Sequence, residues 1–128
     1  MSEGWKDWER RVAQHARDKG LPWDRRLRLG DNHDLLDIDG CLPMGHLVGC
    51  KSVRRGSSVG ARLFDGMDQA QRAKKNAHTM YGVQADELIG WQILQRTGYP
   101  AGRAYAVTEY DDMLALVLEL AGIREAAR

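Results

Sequence analysis

The chain has 128 residues, with 19 Lys and Arg against 18 Asp and Glu and a formal net charge of +1. That length suits a single domain over 1–128, and 43% apolar with 29% charged residues excludes wholesale disorder. No apolar run approaches the roughly 20 residues that span a bilayer, and Met1–Lys6 lacks the apolar stretch of a signal peptide, so the expectation is a soluble protein with no membrane partner, kept in the cytoplasm.

In chain order, Glu3–Lys19 reads as a helix, because Trp5, Trp8, Val12 and Ala16 recur at steps of three and four. Gly20 stops it and Pro22 follows. Trp23–Leu29 is an extended segment, Gly30–Asp34 a turn, and Leu35–Asp39 a second strand. Gly40–Gly45 returns the chain into a third strand, His46–Val53, adjacent and antiparallel to the second. Ser57 and Ser58 offer caps for a long helix from Val59 to about Thr79, with Leu63, Met67, Ala70 and Ala73 inward. Trp91–Gln95 and Arg103–Val107 are two more strands. Thr108 can cap a last helix, Tyr110–Ala121, with Met113, Leu114, Val117 and Leu120 inward. The order describes an α/β fold: a mixed β-sheet of about five strands flanked by helices.

Chemistry concentrates in Asp34-Leu35-Leu36-Asp37-Ile38-Asp39-Gly40 and in Leu47-Val48-Gly49-Cys50-Lys51. Side chains alternate across a strand, so Asp37 and Asp39 share one face and Gly49 and Lys51 share one face of the neighbour. Carboxylates are hard oxygen ligands for Mg²⁺ or Mn²⁺. A cation held there polarises a phosphate and supplies a hydroxide-like water, and a nearby ammonium orients that water or offsets developing charge. Basic residues flank the stretch: Arg25, Arg26 and Arg28 before it, Arg54 and Arg55 after it. They are either solvated charges or contacts to a phosphate backbone.

These residues resemble the PD-(D/E)xK nuclease superfamily, in its Holliday-junction resolvase branch. Asp37-Ile38-Asp39-Gly40 matches the first motif. Gly49-Cys50-Lys51 matches only the lysine of the second motif, Glu-x-Lys. Glu9 stands where the family has an acid on its first helix, and Gln69, in Asp68-Gln69-Ala70-Gln71-Arg72, where it has a glutamine-bearing helix. The likeness covers roughly Glu9 to Leu120. It implies a restriction-endonuclease-like fold, a Mg²⁺ (or Mn²⁺) cofactor held by Asp37 and Asp39, catalytic roles for Lys51, Asp37, Glu9 and Gln69, DNA contacts from Arg54, Arg55, Arg25 and Arg26, branched DNA as substrate, and a homodimer.

Gly49 breaks the pattern, since glycine offers no ligand where the family has its second acid. Either the acid has moved, with Asp39, Asp65 and Asp68 as donors, or the site has decayed and the chain is a nuclease-fold nucleic-acid-binding or phage interaction module without catalysis. Under decay, Gly49→Glu is expected to restore a ligand at little cost in stability unless position 49 needs a positive φ. His33, Cys41, His46 and Cys50 are of zinc-ligand type but lack paired knuckle spacing. Gly56–Gly60 lacks the Lys-Ser/Thr of a phosphate-binding loop.

Overall fold

The computed structural model describes residues 4–27, 34–52 and 58–127. Three helices and two small sheets make a mixed α/β fold. Helix α1 (Gly4–Asp18) carries the expected stripe, with Trp8, Val12, Ala13 and Ala16 buried; Trp5, at its open first turn, stays 46% exposed. Gly20 closes it at φ 98°, a left-handed conformation that costs glycine little.

Strands β1 (Asp24–Arg25) and β2 (Ile38–Asp39) form an antiparallel pair. Both are shorter than the sequence suggests, and Leu36 gives the reason for β2: it sits at φ 69°, left-handed for a non-glycine residue. The turn is held by Asp34, whose Oδ1 accepts from the Leu36 N–H at 2.8 Å. It lets Leu35 and Leu36 enter the same apolar cluster instead of alternating, and leaves Asp37 directed at the next strand. Gly40, at φ 89°, is obligatory: a Cβ there would lie 2.2 Å from the Pro22 carbonyl oxygen.

Strand β3 (His46–Lys51) runs parallel to β4 (Ile89–Leu94), which pairs antiparallel with β5 (Tyr105–Thr108). One backbone bond, from the Asp37 N–H to the Val48 oxygen at 3.1 Å, links the two sheets. Strand β3 is covered on both faces. Val48 packs with Trp8, Val12, Ala13, Ile38 and Cys41 beside α1. Leu47 packs with Ala70, Ala73 and Ala77 of helix α2 (Val59–Tyr81). Small residues let α2 approach closely; a Cβ on Gly90 would meet the Ala70 methyl at 2.9 Å. Of the two expected caps for α2, Ser58 serves, its Oγ accepting from the Ala61 N–H at 3.2 Å.

Helix α3 (Tyr110–Ala126) departs most from expectation. Met113, Leu114, Val117 and Leu120, expected inward, are 37–52% exposed, and none of its residues is buried. Asp112 ties it down, accepting from Lys74 Nζ at 2.6 Å and from the Gly90 N–H at 3.2 Å. Thr108 does not cap it; its hydroxyl donates to the Gly90 oxygen at 2.6 Å.

Candidate functional site

The expected residues gather around the C-terminal half of β3, on two sides of it. Asp37 is nearly buried, and its Oδ2 accepts from the Cys50 N–H at 2.7 Å. That N–H points along the sheet, so the carboxylate lies at its edge, one residue before Lys51. Lys51 turns to α2 and donates from Nζ to Gln69 Oε1 at 2.7 Å. Of the residues that the resemblance named, Lys51 and Gln69 are thus in contact, and Asp37 lies beside the same stretch of strand.

Glu9 is buried on the α1 side, where Arg25 Nε donates to its Oε1 at 2.9 Å. Burial, reinforced by the negative charges of Asp37 and Glu9, pushes the Cys50 thiol far above its ordinary value. Burial raises Cys41 as well. Both thiols are therefore held in the protonated form, which disfavours them as nucleophiles. Glu9 and Asp37 thus flank Cys50, while Lys51 and Gln69 meet on the opposite face.

Asp39, expected as a second ligand, is exposed and faces elsewhere: its Oδ1 lies 3.5 Å from Arg26 Nη1 and accepts from the Gly40 N–H at 2.9 Å. Asp65 and Asp68 are exposed on α2. Among the described residues, no group of three or more His, Cys, Asp or Glu side chains is placed to hold a metal ion. Arg25 and Arg26 have internal duties: Arg25 with Glu9 and over the Trp5 ring, Arg26 with Asp39 and the Ile38 oxygen. Arg54, Arg55, Arg28 and His33 lie outside the described residues.

Gln92 fills the space beside Gly49. It is paired with Gly49 across β3 and β4. A Cβ built on Gly49 would fall 2.4 Å from Gln92 Oε1 and 2.7 Å from its Nε2. Gln92 is 1% exposed, and its Nε2 donates to the Gly66 oxygen at 2.7 Å. That bond fixes the amide's orientation, since the reverse would set two oxygens against each other. Oε1 is left buried with no hydrogen-bond partner. Gly66 completes the arrangement: a Cβ there would lie 3.1 Å from both Gln92 Cγ and Lys51 Cε. The signal in the sequence was a lone amide within the apolar strand Ile89–Leu94. Asp37 is thus the carboxylate at this stretch of strand, while the amides of Gln69 and Gln92 lie on the α2 side, Gln69 Oε1 engaged by Lys51.

No family model, curated protein or solved structure matches the chain.

Proposed function

We propose that the chain is a metal-dependent, structure-selective DNA endonuclease of the PD-(D/E)xK type, resembling a Holliday-junction resolvase. The observation that carries this reading is the Asp37 carboxylate bound at the Cys50 amide, one residue from Lys51, with the Lys51 ammonium steadied by Gln69. The order of elements is in keeping with it. Two small sheets linked by the Asp37–Val48 bond, with α1 and α2 packed on β3, are compatible with the restriction-endonuclease-like layout that this reading implies. Asp37 would hold a Mg²⁺ or Mn²⁺ ion, which when bound supplies Lewis-acid polarisation of the scissile phosphate. Lys51 would place its charge beside the phosphate, and Arg54 and Arg55 would grip the backbone next to it. The exposed apolar side chains of α3, among them Leu118 and Ile123, offer a surface that a second copy would cover in a homodimer. No helix among the described residues is long and apolar enough to cross a membrane.

One observation favours a second reading, a nuclease-fold DNA-binding module without catalysis. Position 49 lacks its acid, the vacated space is filled by a neutral amide, and Lys51 is engaged by another neutral amide. Purified protein incubated with a four-way junction and a linear duplex, with and without Mg²⁺ or Mn²⁺, separates the two. Metal-dependent cutting of the junction supports the enzyme; binding without cutting supports the module.

A further inference from the structure

The hairpin joining β4 to β5 carries a group of side chains that the reading above does not use. Arg96 lies over the Tyr99 ring at 3.9 Å and over the Tyr105 ring at 4.7 Å, between the two tyrosines, and Arg103 approaches Tyr99 at 5.8 Å. The group is fixed from below: Arg96 Nη1 donates to the Arg103 oxygen and Arg11 Nη2 to the Tyr99 oxygen, each at 3.3 Å. Yet Tyr99 and Tyr105 remain 45% and 55% exposed. No acidic residue occurs between Glu87 and Glu109, so nothing in the hairpin neutralises its arginines. A tyrosine that only stabilised the hairpin would be expected to bury more of its ring.

Its location gives the group a purpose. Lys51 is in register with Leu94, and Leu94 with Tyr105. Residues in register present their side chains to one face, so Tyr105 stands on the Lys51 face, two strand spacings or about 10 Å away. The Gln95 N–H donates to the Lys51 oxygen at 2.9 Å, holding the start of the hairpin against the end of β3.

We propose that Arg96, Tyr99, Arg103 and Tyr105 form a stacking platform for unpaired nucleotides, delivering a single strand toward Lys51. Flat aromatic rings accept bases of any identity, and guanidinium groups between them meet the phosphates. A branched DNA opened at its crossover exposes unstacked bases and an intact linear duplex does not, so the platform supplies the structure selectivity of the proposed nuclease and rests on that reading for its purpose.

The test is fluorescence anisotropy of a labelled thymidine homopolymer, titrated with the full chain in EDTA at several salt concentrations. Tyr99→Leu and Tyr105→Leu keep apolar bulk at exposed positions and remove the π-face; each is expected to weaken binding about tenfold, whereas Tyr→Phe at either position is expected to bind as the parent does. Arg96→Gln and Arg103→Gln are expected to flatten the dependence of log affinity on log salt by about 0.7 each, and Arg124→Gln, on α3, to leave it unchanged. Unaltered binding by both Tyr→Leu variants, with circular dichroism showing them folded, overturns the platform. So does equally tight binding of polyglutamate by the parent. Because no divalent cation is present, the result is separate from cleavage. A parent that cuts no DNA but shows this tyrosine dependence keeps the platform and loses the nuclease; one that cuts DNA yet ignores the Tyr→Leu changes does the reverse.

Discussion

Gly49→Glu, the change that would place an acid where the nucleases this chain resembles in sequence carry one, is expected to destabilise the protein. The backbone is not the obstacle, since Gly49 has no left-handed φ. The obstacle is Gln92, whose amide atoms lie 2.4 and 2.7 Å from the new Cβ. The amide has little room to swing aside: Gln92 is 1% exposed and tied to the Gly66 oxygen. Overpacking a tight interior costs about 1–3 kcal/mol. Losing the bond to Gly66 adds about 1 kcal/mol, and desolvating a carboxylate with only Lys51 nearby adds about 1–2 kcal/mol more. The total is about 3–6 kcal/mol, a large part of the roughly 5–15 kcal/mol that holds a domain folded. Gln92→Ala removes the obstruction, and with it the orphaned Oε1. Urea denaturation of the parent, both single variants and the double variant gives the coupling. The double variant is expected to be more stable than the sum of the singles by about 2 kcal/mol or more. A Gly49→Glu protein as stable as the parent, or strictly additive changes, would refute this account of position 49.

Asp112→Ala is expected to cost about 3 kcal/mol by leaving the Lys74 ammonium buried without its 2.6 Å partner, and to speed hydrogen exchange in α3 selectively, while Lys74→Met should cost less. Arg25→Ala is expected to cost about 1–3 kcal/mol in denaturant melts, because Glu9 is then a buried carboxylate short of its 2.9 Å donor. Burial holds His46 below its ordinary value, with Glu119 opposing, and the Trp91 Nε1–H donates to its Nδ1 at 3.0 Å. The unfolded chain therefore takes up the proton first as pH falls, and stability is lost below about pH 6.5. His46→Gln should remove that part of the difference in urea midpoint between about pH 7.5 and about pH 5.5.

Helices α1 and α2 were legible in the sequence because periodic apolar residues and the stop at Gly20 agreed. Helix α3 was legible as a helix but not in its placement. Its apolar residues lie all round it, so periodicity could not name an inner face, and its anchor is the single acid Asp112. Strand β2 was expected from Leu35 because alternation assumes an extended backbone, and the left-handed Leu36 breaks that assumption. Around the candidate site, Gln69 was named only through the resemblance, and its contact with Lys51 arises because α2 packs on the β3 face that carries Lys51. Asp39 did not follow: strict alternation put it beside Asp37, but beyond the bend it pairs with Asp24 across β1 and leaves the site. Gln92 was hidden for another reason. Its role depends on a register between β3 and β4, separated by the whole of α2, and no local pattern carries that register.

The most direct test of the nuclease reading is cleavage of a four-way junction in Mn²⁺ by the parent, Asp37→Asn and Lys51→Ala, with junction binding measured alongside. The account predicts symmetric nicks near the crossover by the parent, and intact junction, still bound, with either variant. Binding by all three with no cut by the parent, or cutting that survives the loss of Asp37, would contradict it.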